Sequence, residues 1–206
     1  MHIENNIKYS AKLAFKQSQF YQQLPPKLRS LLVSEVLKKQ ILALRFFFND
    51  YIRGVSAPQL FVEKVMISLQ SSLYNVGDVI VDNGDKMDFC YFIVKGQCTL
   101  SGIHKQGENE YLRVPVVKLR DGGWYGDYQI LLSVKSDWHL EATAAPKKKT
   151  KGYPDNAIQI LKIDDETFLK ICHQFPEFRK HLLQRAKIRR CHWKKVFEEN
   201  RHYCLL

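Results

Sequence analysis

Seven histidines and five cysteines are the side chains of this 206-residue chain most able to do nucleophilic, acid–base or metal chemistry. Their spacing assigns them none of it. Cys90, Cys98, Cys172, Cys191 and Cys204 form no C-x-x-C pair, and no histidine stands at zinc-ligand spacing from two of them. The histidines are scattered, so no acid–base or nucleophile constellation forms. The chain reads as a protein that is not an enzyme and holds neither metal nor cofactor, with its thiols in a reducing cytosol. Charge is the stronger lead. Lysine and arginine number 32 against 21 acidic residues, for a net charge of +11 and a pI near 9.4. Such an excess favours acidic partners: anionic lipid headgroups, phosphates or an acidic protein face. Part of it lies in Lys147-Lys148-Lys149-Thr150-Lys151, and part in a C-terminal segment from Arg179 to Lys195. The lysine run reads either as a contact with anionic lipid or as a solvated loop, and the C-terminal segment as a contact with lipid or an acidic partner or as a solvated face.

Periodicity gives the elements that must position any site. The chain is long enough for one domain plus an appendage, and 45% of it is hydrophobic. The opening MHIENNIKYSAK lacks the apolar run of a secretory signal. The most apolar stretch, Ile41 to Phe48, is too short to span a bilayer and carries Arg45, so the chain reads as soluble. Leu13, Phe15, Phe20 and Tyr21 form an imperfect helical stripe over Ile7 to Gln23. Leu24-Pro25-Pro26 breaks it, and proline in a first turn suits a new helix carrying Leu28, Leu31, Leu32, Val36 and Leu37. After Gly54, Ser56 and Pro58, a short helix follows with Leu60, Val62, Val65, Met66 and Leu69. Strands are expected at Val79–Val81, Phe89–Val94, Cys98–Ile103, Tyr111–Leu119, Leu140–Ala144 and Ala157–Ile163. Loops are expected at Lys105–Asn109 and Pro146–Pro154, which together suit a β-barrel or roll. Asp164-Asp165-Glu166 is an acidic helix start, and Phe175-Pro176 closes that helix. A long helix then runs from about Glu177 to Asn200, with Phe178, Leu182, Ala186, Trp193 and Phe197 on one face and Arg189 on the same stripe.

The most specific run is Val76 to Gly96, VGDVIVDNGDKMDFCYFIVKG. Gly77-Asp78 and Gly84-Asp85 supply the positive φ and the side-chain-to-backbone bonds of tight turns around a short strand. The run resembles the opening of a cyclic-nucleotide-binding β-roll, matching its pattern at Tyr74, Gly77, Asp78, Ile80, Gly84, Asp85, Tyr91, Phe92, Ile93 and Gly96. Leu24-Pro25 with Leu28-Arg29 resembles the L-P-x-x-L-R helix of the C-linker in ion channels of the same superfamily, and Phe46-Phe47-Phe48 sits where those channels carry an apolar stretch. The resemblance implies an α+β fold. C-linker-like helices over residues 1–56 would precede a cyclic-nucleotide-binding-like domain over 57–206. That domain would be an antiparallel β-roll (a jelly roll) over about 72–163, with flanking A and B helices and a long C-terminal C helix. It further implies a cytosolic gating module of a voltage-gated cation channel, potassium-selective, on the cytoplasmic face of a membrane. Hyperpolarisation-activated, cyclic-nucleotide-gated and ether-à-go-go-type channels share this layout. The implied partners are the channel's transmembrane domain and the other subunits of a homotetramer, through the N-terminal helices, with anionic lipid nearby and no nucleic acid. Two alternatives stay open: a stand-alone cyclic-nucleotide sensor of kinase-regulatory type, and a structural subunit that reuses the roll.

In that family a phosphate cassette, F-G-E-x-x-L-L and then R-x-A-x-V, holds the ligand. Backbone N–H groups at a short helix N-terminus face the cyclic phosphate, a carboxylate accepts from the ribose 2′-hydroxyl, and an arginine neutralises the phosphate. Here the stretch reads Tyr125-Gly126-Asp127-Tyr128-Gln129-Ile130-Leu131-Leu132, then Lys135-Ser136-Asp137-Trp138-His139-Leu140-Glu141-Ala142. The resemblance places the ligand positions at Gly126, Asp127, Tyr128, Lys135, Ser136 and Asp137. Asp127 is one methylene shorter than the family's glutamate. Ser136 stands at the arginine, Asp137 beside it repels an anion, and Trp138 replaces a small residue. Losing one charged hydrogen bond costs about 1.5–3 kcal/mol, roughly one to two decades in affinity. In one reading the cassette is degenerate and binds cyclic nucleotide weakly or not at all, like ether-à-go-go-type channels. In the other, Lys135 swings in as a point charge and cAMP or cGMP still binds. Tyr203 and Leu205 read either as an intrinsic ligand folded back into the pocket or as a frayed tail. Arg189 either meets an acidic residue of the roll or caps the pocket as a lid.

Overall fold

The structure, a computed structural model, describes residues 19–106, 111–144 and 157–204. An N-terminal arm of four short helices leads into the roll: α1 (Gln19–Gln23), α2 (Pro26–Val36), α3 (Lys38–Ala43) and α4 (Arg45–Phe48). Pro26 takes the first helical position of α2, where its missing N–H has no intrahelical partner to lose. The apolar run to Phe48 is jointed rather than continuous. Leu37 and Leu44 sit at the joints with ψ near 14° and 12°, and both are buried. A two-residue pair, β1 (Asn49–Asp50) with β2 (Val55–Ser56), reverses the chain into α5 (Gln59–Ser68).

The roll follows as two four-stranded antiparallel sheets. One has the order β3 (Gln70–Asn75), β10 (Ala157–Asp164), β5 (Phe89–Lys95), β8 (Trp124–Tyr125). The other has β4 (Val79–Val81), β9 (His139–Ala144), β6 (Gln97–Lys105), β7 (Tyr111–Leu119). The remaining helices are α6 (Asp127–Leu132), α7 (Asp165–His173) and α8 (Pro176–Cys204). All six strands expected from sequence are present. β3 was not expected, because QSSLYN is too polar for the pattern; it is an edge strand held by β10. Pro115 lies in the middle of β7, which is tolerated because β7 is an edge strand with a register shift close by.

The two Gly-Asp pairs close their turns as expected. Asp78 Oδ2 accepts from Asn75 N at 2.7 Å and Asp85 Oδ2 from Asp82 N at 2.9 Å, with both glycines at positive φ. Asp164 caps α7 by accepting from Thr167 N at 2.8 Å. The interior is apolar and closed, with Phe92, Leu100, Leu140 and Ile160 buried between the sheets. Aromatic rings extend this core into the arm: Phe47 lies 4.9 Å from Phe92 and 5.6 Å from Trp124, and Phe61 lies 4.8 Å from Phe178. Cys90, Cys98 and Cys172 are free and buried, and burial pushes the Cys98 and Cys172 thiols up to about 12, leaving them inert. Most of the first expected helix, the tip of the Lys105–Asn109 loop, and the lysine run Lys147–Lys151 lie outside the described residues.

Candidate functional site: the cassette corner and its covering helix

β8 pairs with β5 through Tyr91↔Tyr125 and Phe92↔Trp124, which fixes where the chain leaves the sheet. It leaves at Gly126, with φ +104°. A Cβ there would lie 2.4 Å from the Phe89 carbonyl oxygen, so only glycine lets the backbone turn this close to β5. α6 begins at once with Asp127, and it ends at Ser133 in the left-handed region. The returning loop is fastened to the second Gly-Asp turn by a reciprocal backbone pair. Gly84 N donates to Ser136 O at 2.9 Å, and Ser136 N donates to Asp85 O at 2.9 Å. The two most family-like motifs of the sequence are thus one device: the turn holds the cassette loop.

Each expected site residue now has a place. Asp127 is 2% exposed and accepts from Arg189 Nη2 of α8. Tyr128 is buried, and burial holds its hydroxyl above the ordinary tyrosine range. Lys135 lies exposed on the loop. Ser136 is 3% exposed. Its Oγ donates to Trp138 O at 2.5 Å, accepts from Trp138 N at 3.2 Å and lies 2.6 Å from Tyr125 Oη. The serine proton goes to Trp138 O, so Tyr125 donates, and the hydroxyl has no valence left for a ligand. Asp137 accepts from Arg190 Nε at 2.9 Å and Nη2 at 3.4 Å, with Lys194 Nζ at 3.9 Å. The hydrogen bond to Asp137 raises the Arg190 guanidinium above its usual value.

The cations at this corner therefore come from α8, not from the cassette. Arg189 meets a carboxylate of the roll, one of the two places expected for it, and its guanidinium also lies over Trp124 (4.8 Å) and Trp193 (5.2 Å). Tyr203 does not fold back. It stands 77% exposed in the last turn of α8, which runs on to Cys204 instead of giving way to a strand. Leu205 lies outside the described residues. Sequence reasoning missed the role of Arg190 at Asp137, although its position three residues before Trp193 on a helix was a usable signal. It also missed His139, which is buried with Nδ1 2.8 Å from Asp82 Oδ1 and Nε2 3.0 Å from Arg113 Nη1. That contact, first among the causes, holds the Asp82 carboxyl below its usual range. Nothing in the sequence links two residues so far apart. Among the described residues no group of three or more His, Cys, Asp or Glu side chains is placed to hold a metal ion.

Two antiparallel sheets rolled around one core, a glycine corner opening a short helix, and a long closing helix make this a cyclic-nucleotide-binding-domain fold. The chain is similar to the regulatory subunit of a cAMP-independent protein kinase A from Trypanosoma brucei, solved as a triple mutant bound to cAMP in its A site. The TM-score is 0.53 at 14% identity, over 85% of this chain and 53% of that one. In sequence it is similar to potassium channel KOR1 of Oryza sativa subsp. japonica (20% identical) and potassium channel SKOR of Arabidopsis thaliana (21% identical). Both matches run over 173 residues, 84% of this chain but 18% of each channel's length. The likeness in sequence is thus to channels, and the likeness in shape is to the cyclic-nucleotide-binding fold. No family model matches the chain.

Proposed function

We propose that this chain is the cytosolic regulatory module of a voltage-gated, potassium-selective cation channel, and that its cassette binds no cyclic nucleotide. Residues 1–56 serve as the linker to the pore and residues 57–206 as the regulatory domain, on the cytoplasmic face of a membrane. The similarity to two plant potassium channels over most of the chain supports the channel part. Among the described residues no helix is long and apolar enough to cross a membrane, so the pore of such a channel would lie elsewhere. One observation carries the ligand part: at the phosphate position Ser136 has spent every hydrogen-bonding valence, and Asp137 beside it is a paired carboxylate. At this position an incoming phosphate would meet the Asp137 carboxylate and a serine hydroxyl whose proton is already given to Trp138 O.

Gating would run through α8. The helix touches the cassette through Arg189 and Arg190, and it touches the arm through Arg185. Arg185 Nη1 donates to Phe47 O at 3.0 Å and Nη2 to Phe46 O at 2.8 Å, satisfying carbonyls at the end of α4. A change in how α8 sits on the roll would alter those contacts, the differential interaction that coupling between two states requires. Calorimetry of the purified chain with cAMP and cGMP tests the ligand part. No saturable heat is expected at about 1 mM nucleotide. Low-micromolar binding of either would overturn it.

A further inference from the structure

We infer that the cassette corner has changed its ligand class: it is a receptor for guanidinium groups flanked by aromatic rings, and α8 of the same chain is the ligand. The inference rests on the reading that the cassette takes no cyclic phosphate, and it names what takes the place instead. Asp127 stands where the family presents a carboxylate, and a second carboxylate, Asp137, directly follows Ser136, the residue at the family's arginine. Two consecutive arginines of α8 answer them: Arg189 meets Asp127, and the fork of Arg190 straddles Asp137. Arginine suits this task, because a planar fork can meet a carboxylate through two bonds and stack on rings at once.

The rings come next along the helix. Trp193 is buried, 6.1 Å from Tyr125 and 5.9 Å from Tyr128. One turn on, Phe197 lies 5.6 Å from Trp138 and against Gly102 of β6. A Cβ on residue 102 would fall 2.3 Å from Phe197 Cε2, so the roll leaves out a side chain at the spot where the phenylalanine sits. Asn200 Nδ2 then donates to Pro115 O of β7 at 2.7 Å. Residues 189, 190, 193, 197 and 200 recur at the spacing of one helix face. They run continuously from α6 across the cassette loop to β6 and β7. A cyclic nucleotide would meet both kinds of opposition, carboxylates facing its phosphate and rings in the room beneath α8. A cationic, aromatic helix meets neither.

Hydrogen exchange on the full chain tests this, with charge swaps at the pair that the family resemblance does not supply. In D137R and in R190D the amides of residues 190–204 are expected to exchange about ten- to a hundredfold faster. The double variant D137R/R190D is expected to recover most of the protection. R190K keeps the charge but loses the fork and is expected to fall between. F197A touches neither carboxylate and serves if a swap fails to fold; it is expected to speed exchange over the same residues while the strands stay protected. Native exchange rates over 190–204 in both single swaps, or in F197A, would overturn the inference. R190K matching the native chain would overturn the choice of guanidinium. These outcomes are independent of calorimetry on the unaltered chain, which alone decides whether a cyclic nucleotide binds.

Discussion

Ser136 and Tyr125 show how far a single substitution reaches in this corner. Both hydroxyls are buried and each depends on the other. Ser136→Ala takes the 2.6 Å partner from the buried Tyr125 hydroxyl and is expected to cost about 1–3 kcal/mol. Tyr125→Phe removes the donor and lets the serine keep both Trp138 bonds, for a smaller loss of about 0.5–1.5 kcal/mol. Urea denaturation of the two variants gives the order directly, and equal losses would mean that the pair does not share a proton as described. Gly126→Ala is harsher, because the added Cβ meets backbone rather than a flexible side chain at 2.4 Å and must sit at φ +104°. A loss of at least about 3 kcal/mol is expected in the same experiment. The sequence exposed half of this corner. Asp137 beside the arginine position was legible as a charge hostile to phosphate. Its partner Arg190 went unread although it stands three residues before Trp193, because the inward face of a basic helix is marked by its rings, Trp193 and Phe197, and not by its charges.

Elements were legible where turns bracket them. Gly-Asp turns fix both ends of β4, and Asp164 and Pro176 mark the starts of α7 and α8, so these came out within a residue or two. The arm was not, since its joints at Leu37 and Leu44 answer to the core beneath them and leave no proline or glycine as a sign. α8 and the arm meet at His181, whose Nε2 lies 3.4 Å from Asp50 Oδ2, with Arg185 3.9 Å from the same carboxylate. Asp50 alone would raise the imidazole's pKa, but burial first and Arg185 next outweigh it, and the net shift is downward. The sign of the consequence follows. Above the ordinary histidine value of 6.5, neither the folded nor the unfolded chain carries the proton. As pH falls below 6.5, the unfolded chain takes up a proton that the folded chain resists, so stability is lost until the lowered folded value is passed. Denaturation midpoints at pH 7.5 and 5.5 are expected to differ less in His181→Gln than in the native chain. A steeper acid loss in the variant would mean that the Asp50 attraction wins after all.

At the scale of the whole molecule the arm is bound to the domain at three places of different chemistry. Arg185 holds the end of α4, Phe47 packs on Phe92 and Trp124, and Glu63 of α5 accepts from Tyr21 at 2.8 Å and Ser30 at 2.5 Å. Glu63→Ala removes bonds to a charged acceptor worth about 1.5–3 kcal/mol each. It is expected to raise exchange in α1 and α2 while the strands keep their protection; uniform loss would mean that arm and roll unfold as one. The arm's outer side is a different matter. Of the fourteen large apolar side chains exposed among the described residues, eight fall between Leu28 and Leu60, Ile52 at 96% exposure among them. Isolated apolar side chains on a surface need no explanation, but this density on one appendage matches an interface and not a solvated face. The channel reading puts neighbouring subunits there. Light scattering on the chain is therefore expected to give a concentration-dependent mass rising toward four times 24.2 kDa. Leu31→Glu with Leu42→Glu is expected to hold it at the monomer without lowering its denaturation midpoint, since both leucines are about half exposed in the single chain. A native chain that stays monomeric at high concentration would leave these side chains without subunits to bury them and would remove assembly from the function of the arm.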